Sequence, residues 1–192
     1  MPEILARPQA QRVDAARNRA RLLEVARAHL LAGNDLPLNT IAREAAVGVG
    51  TAYRHFPNRA TLLEALAIDA FEALLEQVSA AIVASGTDTA AALRGALQAA
   101  FNELRGDAAL AKILSSGAFS CADTAAIASD LVTAFTDVLA RARREGLLRE
   151  DVGPDDLRRL LCGLAAATHA GTEPVADPSR YLEILVAGLR PH

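Results

Sequence analysis

Five side chains suited to gripping a polyanion sit close together in this sequence: Thr51, Tyr53, Arg54 and His55, and then Arg59 just beyond Pro57. A hydroxyl, a phenol, an imidazole and two guanidinium groups can all donate hydrogen bonds to phosphate oxygens, contacts that fix register on a duplex without reading its sequence. Immediately before them, Gly48, Val49 and Gly50 are small enough for a helix N-terminus to come close to base edges. The methyl groups of Val49 and Thr51 could meet a thymine methyl, and Arg54 a guanine edge or a phosphate. The competing role for the aromatics is the core of a small bundle. That role is expected for Phe56, whereas Tyr53 is expected to bury its ring and point its hydroxyl outward.

These residues need a scaffold, and the flanking sequence supplies one. Residues 38–56, LNTIAREAAVGVGTAYRHF, read as two short helices on a three-residue turn. The first runs from about Pro37 to Ala45 with Ile41, Ala42 and Ala45 inward. Ala46-Val47-Gly48 make the turn, and the second runs from about Val49 to His55 until Pro57 ends it. A helix-turn-helix needs a small residue where its helices cross and an apolar residue buried in the turn; Ala42 and Val47 fit. Upstream, Leu22, Leu23, Ala26 and Leu30 form one stripe of a helix over about 14–32, stopped by Gly33-Asn34-Asp35. Residues 1–13, with two prolines and no apolar period, read as a basic arm. Downstream, Asn58 is a natural N-cap for a helix that carries Leu62, Leu63, Leu66, Phe71, Leu74 and Val78 out to about Val83.

The remainder is punctuated into helices over about 88–105, 107–116, 121–145, 154–170 and 178–189, giving an all-α chain of about nine helices. Composition agrees. Of 192 residues 43 are alanine, Trp is absent and only seven are aromatic, which favours helices and disfavours β-sandwiches and barrels. The net charge of −3 conceals an asymmetry: residues 1–60 carry +4 and the rest −7, the pattern of a nucleic-acid-binding head joined to something else. The domain organisation expected is therefore a basic arm (1–13), a helix-turn-helix domain (14–57) and a helical regulatory and dimerisation domain (58–192), connected by the helix from about 58.

At the helix-turn-helix the sequence resembles the tetracycline-repressor (TetR) family of bacterial transcription regulators. The resemblance covers about 14–66 and rests on Ile41-Ala42, the run from Ala45 to Phe56, then Arg59 and Leu62-Leu63. It implies that Asn39, Thr40, Arg43, Thr51, Tyr53, His55 and Arg59 hold phosphates, while Val49, Gly50 and Arg54, led by Gly48, lie nearest the bases. There are two departures. Ala46 stands where the family usually has the turn glycine, and a left-handed alanine costs on the order of 1 kcal/mol. Gly48 stands where a capping Ser is common, a loss of roughly a few tenths of a kcal/mol.

The resemblance also implies a homodimer and a small-molecule pocket in the C-terminal helices. Leu157, Leu160, Leu161, Leu164, Tyr181, Leu182, Leu185, Val186 and Leu189 make more apolar face than two terminal helices need, and are expected to pair across a two-fold axis, the alternative being that they only close the monomer core. Candidate pocket residues are Phe71, Phe101, Leu104, Ile113, Leu114, Phe119, Cys121, Phe135, Leu139, Cys162, Thr168 and His169, for an apolar or weakly polar ligand, with plain core the favoured competing role for each. His169 and Cys162 lie two helical turns apart with no further ligand nearby, so no metal or cofactor is expected; His29 and His192 read as incidental. No nucleophile–base pair, phosphate loop or paired carboxylates suggest an enzyme. No run of 18 apolar residues or signal-peptide core is present, so the protein is expected in the cytoplasm, away from membranes. The expected partners are a palindromic double-stranded DNA operator, a second copy of the chain and a small-molecule inducer; the alternative is an all-helical ligand-binding or interaction module without operator binding.

Overall fold

The computed structural model describes residues 6–170 and 175–191, with side chains described from 12 onward. Among these residues there are nine helices and no strand: α1 (Ala6–Leu31), α2 (Leu38–Glu44), α3 (Val49–His55), α4 (Arg59–Ala84), α5 (Thr89–Gly106), α6 (Ala108–Ser116), α7 (Ala122–Arg144), α8 (Pro154–Thr168) and α9 (Ser179–Gly188). No described helix is long and apolar enough to cross a membrane. The start of α1 corrects the sequence reading, since residues 6–13 are helical where an irregular arm was expected. Pro8 is the third residue of α1, and in a first turn its missing N–H would have had no partner in any case. Alanines then carry the helix onward. Residues 1–5 and His192 lie outside the described residues.

The chain divides into two compact units, one ending at Leu66 and the other starting at Ala67, a boundary inside α4. In the first, α1 packs on α2 and α3 and supplies Leu22, Ala26 and Leu30 to a core shared with Leu36, Leu38, Ile41, Ala42, Val47, Ala52, Phe56, Leu62 and Leu66. Leu36 sits in the α1–α2 loop, outside any helical period. His29, expected to be incidental, instead joins Glu44 through Nε2 at 2.7 Å, tying the end of α1 to the end of α2. Asn58 caps α4 as expected: its Oδ1 accepts from the Thr61 N–H at 2.9 Å while Thr61 Oγ1 accepts from the Asn58 N–H at 3.3 Å, a reciprocal box. In the second unit α5 is central, packing on α6, α7, α8 and α9. Its buried Thr89 hydroxyl donates to Glu145 at 2.7 Å and accepts from Arg141 at 3.2 Å, fastening its start to the end of α7.

Three helices end in the same hydrogen-bonded motif. After α1 the N–H groups of Gly33 and Asn34 bond Leu30 and His29; after α7 those of Gly146 and Leu147 bond Arg143 and Ala142; after α2 those of Ala46 and Val47 bond Arg43 and Ala42. Each is a Schellman cap, whose fifth residue must be left-handed. Two use glycine. The third uses Ala46, at φ 53° the one described non-glycine residue with positive φ, so the strain anticipated for this position is present. Ala46→Gly is expected to stabilise the protein by about 0.5–1 kcal/mol, the left-handed penalty less glycine's larger unfolded-state entropy. Thermal unfolding followed by circular dichroism reads this as a rise in Tm of the helix-turn-helix transition, and an unchanged or lower Tm would mean that the turn is not left-handed in solution.

Candidate nucleic-acid interface and regulatory cavity

None of the residues expected to touch a duplex is buried in the first unit. Asn39, Arg43, Gly48, Val49, Gly50, Tyr53, Arg54 and Arg59 are exposed; Thr40, Thr51 and His55 are half-buried. The reason lies in α3, where Ala52 is the one buried residue. Val49 is 46% and Tyr53 43% exposed, so the tyrosine ring stands further out than the buried ring expected from the sequence. Phe56 is buried, as expected, beneath the Arg19 guanidinium, which lies 5.5 Å from its ring centre.

The N-terminus of α3 is bare. Gly48, its N-cap, offers no side-chain hydrogen bond, and the first N–H groups to bond inside the chain are those of Thr51 and Ala52, both to the Gly48 carbonyl. Nothing lies within 4 Å of where a Cβ on Gly50 would sit. Packing within the chain therefore does not demand glycine there. Arg59, expected to hold a phosphate, has a partner within the chain: its Nη2 donates to Asp35 Oδ1 at 3.0 Å. Both partners are more than half exposed, so the pair is worth at most about 1 kcal/mol and a phosphate can compete for the guanidinium. In the sequence Asp35 reads only as part of the stop after the first helix, which does not mark this contact.

In the second unit a cavity of about 410 Å³ opens among α4, α5, α6, α7 and α8, within the size range of small-molecule sites. Of the residues expected to line a pocket, Leu104, Leu114, Phe119, Phe135 and Cys162 do so. Seven do not. Phe71, Phe101, Ile113 and Leu139 are packed into the core, Phe71 lying behind Phe119 with ring centres 5.9 Å apart. Cys121 serves as the N-cap of α7. Thr168 accepts from Arg105 Nε at 3.3 Å and His169 Nε2 meets the Arg105 carbonyl at 3.2 Å, so both fasten α8 to the end of α5. Among the described residues no three His, Cys, Asp or Glu side chains gather as a metal site. The lining that the sequence missed includes Leu74, Ala100, Ala128, Leu131, Val132, Leu157 and Leu161, and two charged residues at one end, Asp155 and Arg158. Burial pushes the Cys162 thiol above its usual range, against smaller opposing effects of Ser115 and Arg158.

The expected dimer face separates into two sets. Leu157, Leu161, Leu182 and Leu189 are buried within the monomer, which corrects their assignment: they face inward because the monomer core needs them. Leu160 is 44% and Ile184 60% exposed, Tyr181 is exposed, and Leu164, Leu185 and Val186 are half-buried. Ile184 was missed, although it lies three residues from Tyr181 on the same helix.

Comparison with known proteins agrees with this architecture. Residues 88–191 match the family model of the C-terminal domain of SbtR-like transcriptional regulators, and residues 33–66 that of bacterial regulatory proteins of the tetR family. A TetR transcriptional regulator from Streptomyces coelicolor is 27% identical, with 90% of this chain and 98% of that one covered and a TM-score of 0.50. Two more distant structures share the fold: the ketosteroid transcriptional regulator KstR2 of Mycobacterium tuberculosis (22% identity, 91% and 95% covered, TM-score 0.56) and AibR in complex with isovaleryl coenzyme A and operator DNA (19%, 91% and 98%, 0.60). No protein of curated function matches the chain.

Gly50 separates stability from binding. Gly50→Leu is expected to leave the unfolding temperature unchanged or higher, because a helix former replaces glycine in open space, yet to weaken DNA binding at least tenfold in a mobility-shift titration. Undiminished binding would show that α3 does not present this end to the duplex.

Proposed function

Because the chain belongs to the TetR family of bacterial transcriptional regulators, which regulate by binding DNA, we propose that it is a ligand-responsive repressor that grips a palindromic operator as a homodimer. The observation that carries this reading is the burial pattern of α3, where Ala52 is the one buried residue, Thr51 and His55 are half-buried and Val49, Gly50, Tyr53 and Arg54 are exposed. Val49, Gly50 and Arg54 are then the base-reading positions, and Asn39, Thr40, Arg43, Thr51, Tyr53, His55 and Arg59 hold the two backbones.

One seven-residue helix makes too few contacts for useful specificity. Two copies set about one duplex turn apart, roughly 34–36 Å, read both halves of a palindrome. The exposed Leu160, Tyr181 and Ile184, flanked by the half-buried Leu164 and Leu185, supply the surface of α8 and α9 through which a second copy joins. The cavity supplies the switch: a small, mainly apolar molecule held more tightly in the geometry that does not fit DNA releases the operator by shifting the population. That AibR has been captured with both a small molecule and operator DNA supports a fold of this kind serving both partners.

A mobility-shift assay with fragments of the gene's own promoter region at low salt tests the reading; a shift is expected, and its absence overturns operator binding. Tyr53→Ala is expected to remove the shift while sedimentation still finds a dimer. Leu160→Glu combined with Ile184→Asp is expected to give a monomer with at least tenfold weaker DNA binding. A dimer unaffected by that pair would place the interface elsewhere.

A further inference from the structure

The cavity has one polar end, and its chemistry is specific. Arg158 closes it from α8, and its guanidinium is divided between two kinds of partner. Nη1 donates to the Leu114 carbonyl at the end of α6. The opposite edge, Nε and Nη2, donates to Asp155 Oδ1 at 2.9 and 2.6 Å. Gly117 makes room: a Cβ there would lie 3.3 Å from the guanidinium carbon.

Asp155 does not depend on Arg158. Its other oxygen, Oδ2, accepts from Arg159 Nε at 2.7 Å, and the two arginines together hold the carboxyl below its ordinary range. Asp155 is 60% exposed and Arg158 23%. If Asp155 let go of Arg158 it would keep Arg159 and solvent. Arg158 would keep the α6 carbonyl, and its planar two-donor edge would face the cavity beside a Cys162 thiol that burial keeps protonated and uncharged at neutral pH.

Resting on the reading of this cavity as the ligand site, we propose that its ligand is an apolar carboxylate, whose hydrocarbon body lies against Leu104, Leu131 and Phe135 and whose carboxylate replaces Asp155 on the Nε–Nη2 edge of Arg158. A guanidinium edge and a carboxylate match in planar, bidentate geometry, and the apolar walls strengthen the pair by excluding water. Asp155 is then a competitor built into the chain: it satisfies Arg158 in the empty cavity and sets the affinity an acid must exceed.

Isothermal titration of the full-length protein with decanoate, decanol and methyl decanoate tests this. Decanoate is expected to bind at least tenfold more tightly than either neutral probe. Asp155→Asn should tighten decanoate several-fold and leave decanol unchanged, and Arg158→Gln should bring decanoate down to the level of decanol. Arg158→Lys, which keeps the charge but loses the two-donor edge, should retain only part of the preference; it guards against a folding defect in the glutamine variant, as does circular dichroism. Ala128→Phe should abolish binding of all three. Equal binding of acid and alcohol, a preference that survives Arg158→Gln, or binding that survives Ala128→Phe overturns the carboxylate assignment while leaving the cavity open to a neutral ligand or the acid to another site. Failure of all three probes to bind counts against the cavity reading itself, and the carboxylate proposal falls with it.

Discussion

A helix that gives its surface to a partner cannot hold itself in place, and the first unit is organised around that constraint. α3 buries one alanine, far too little apolar area to fix seven residues. Its position is set from both ends. Val47 is buried in the turn before it and Phe56 immediately after it, and each full burial of a side chain of this size contributes about 1.5–3 kcal/mol. Ala42 and Ala52 are fully buried in the two helices of the motif and small enough for a close crossing. The Phe56 N–H closes the last turn onto the Ala52 carbonyl at 2.8 Å, and after Pro57 the Asn58–Thr61 box starts α4 at once. The strained left-handed Ala46 belongs to the same arrangement, since the cap it completes is what aims Val47 into the core.

The second unit meets the opposite requirement, an enclosed space that the chain does not fill. Three of the smallest side chains in it, Ala100, Ala128 and Gly117, face the cavity from α5, α7 and the end of α6. An alanine-rich chain makes good helices but leaves gaps where larger residues would interlock, and the lining of such a gap forfeits dispersion contacts. A ligand restores them. The charged end is held open by a different device, in which Arg158 spans from α8 to the last carbonyls of α6 and so ties together two helices that also pack on α5.

What could be read from the sequence follows the range of the interactions. α2 through α9 begin and end within one or two residues of the expected bounds because caps and stops are local: Asn58, Gly117, Gly146 and Pro154 announce themselves. The start of α1 was missed because Pro8 looks like a breaker unless it is already known to lie in the first turn. The surface of the helix-turn-helix was legible for the same local reason, since Thr51, Tyr53, Arg54 and His55 crowd a helix too short and too polar on one side to be explained by core packing. Asp35 meeting Arg59 and His29 meeting Glu44 are contacts between elements 15 or more positions apart, and no period or motif marks them. The cavity is the extreme case. Phe71, Phe101 and Leu139 are as apolar as Phe119 and Phe135, and only the packing of α4 through α8 decides which of them look into the space. On α8 the period correctly found the apolar residues but could not say that Leu157 and Leu161 are buried while Leu160 is exposed and Leu164 half-buried.

The two units differ in charge as well as in packing. The basic residues concentrate in the first unit, +3 over residues 1–66, and the second carries −6 over 67–192, so a duplex is drawn to one unit and repelled by the other before any specific contact forms. The proposed switch then has to work against that attraction. Moving a regulator from almost wholly DNA-competent to almost wholly released demands about a 10⁴-fold preference of the ligand for the released state, about 5.5 kcal/mol. In a homodimer two cavities share the demand, so each needs about a hundredfold preference, half that free energy. A difference of that size is within reach of one charge-assisted contact that is well aligned in one state and misaligned in the other, since hydrogen bonds to charged groups contribute about 1.5–3 kcal/mol. The apolar walls that every member of a ligand series would touch in both states contribute affinity but little switching. The polar end of the cavity, small as it is beside the rest of the lining, is therefore where the coupling between ligand and operator has to be sought.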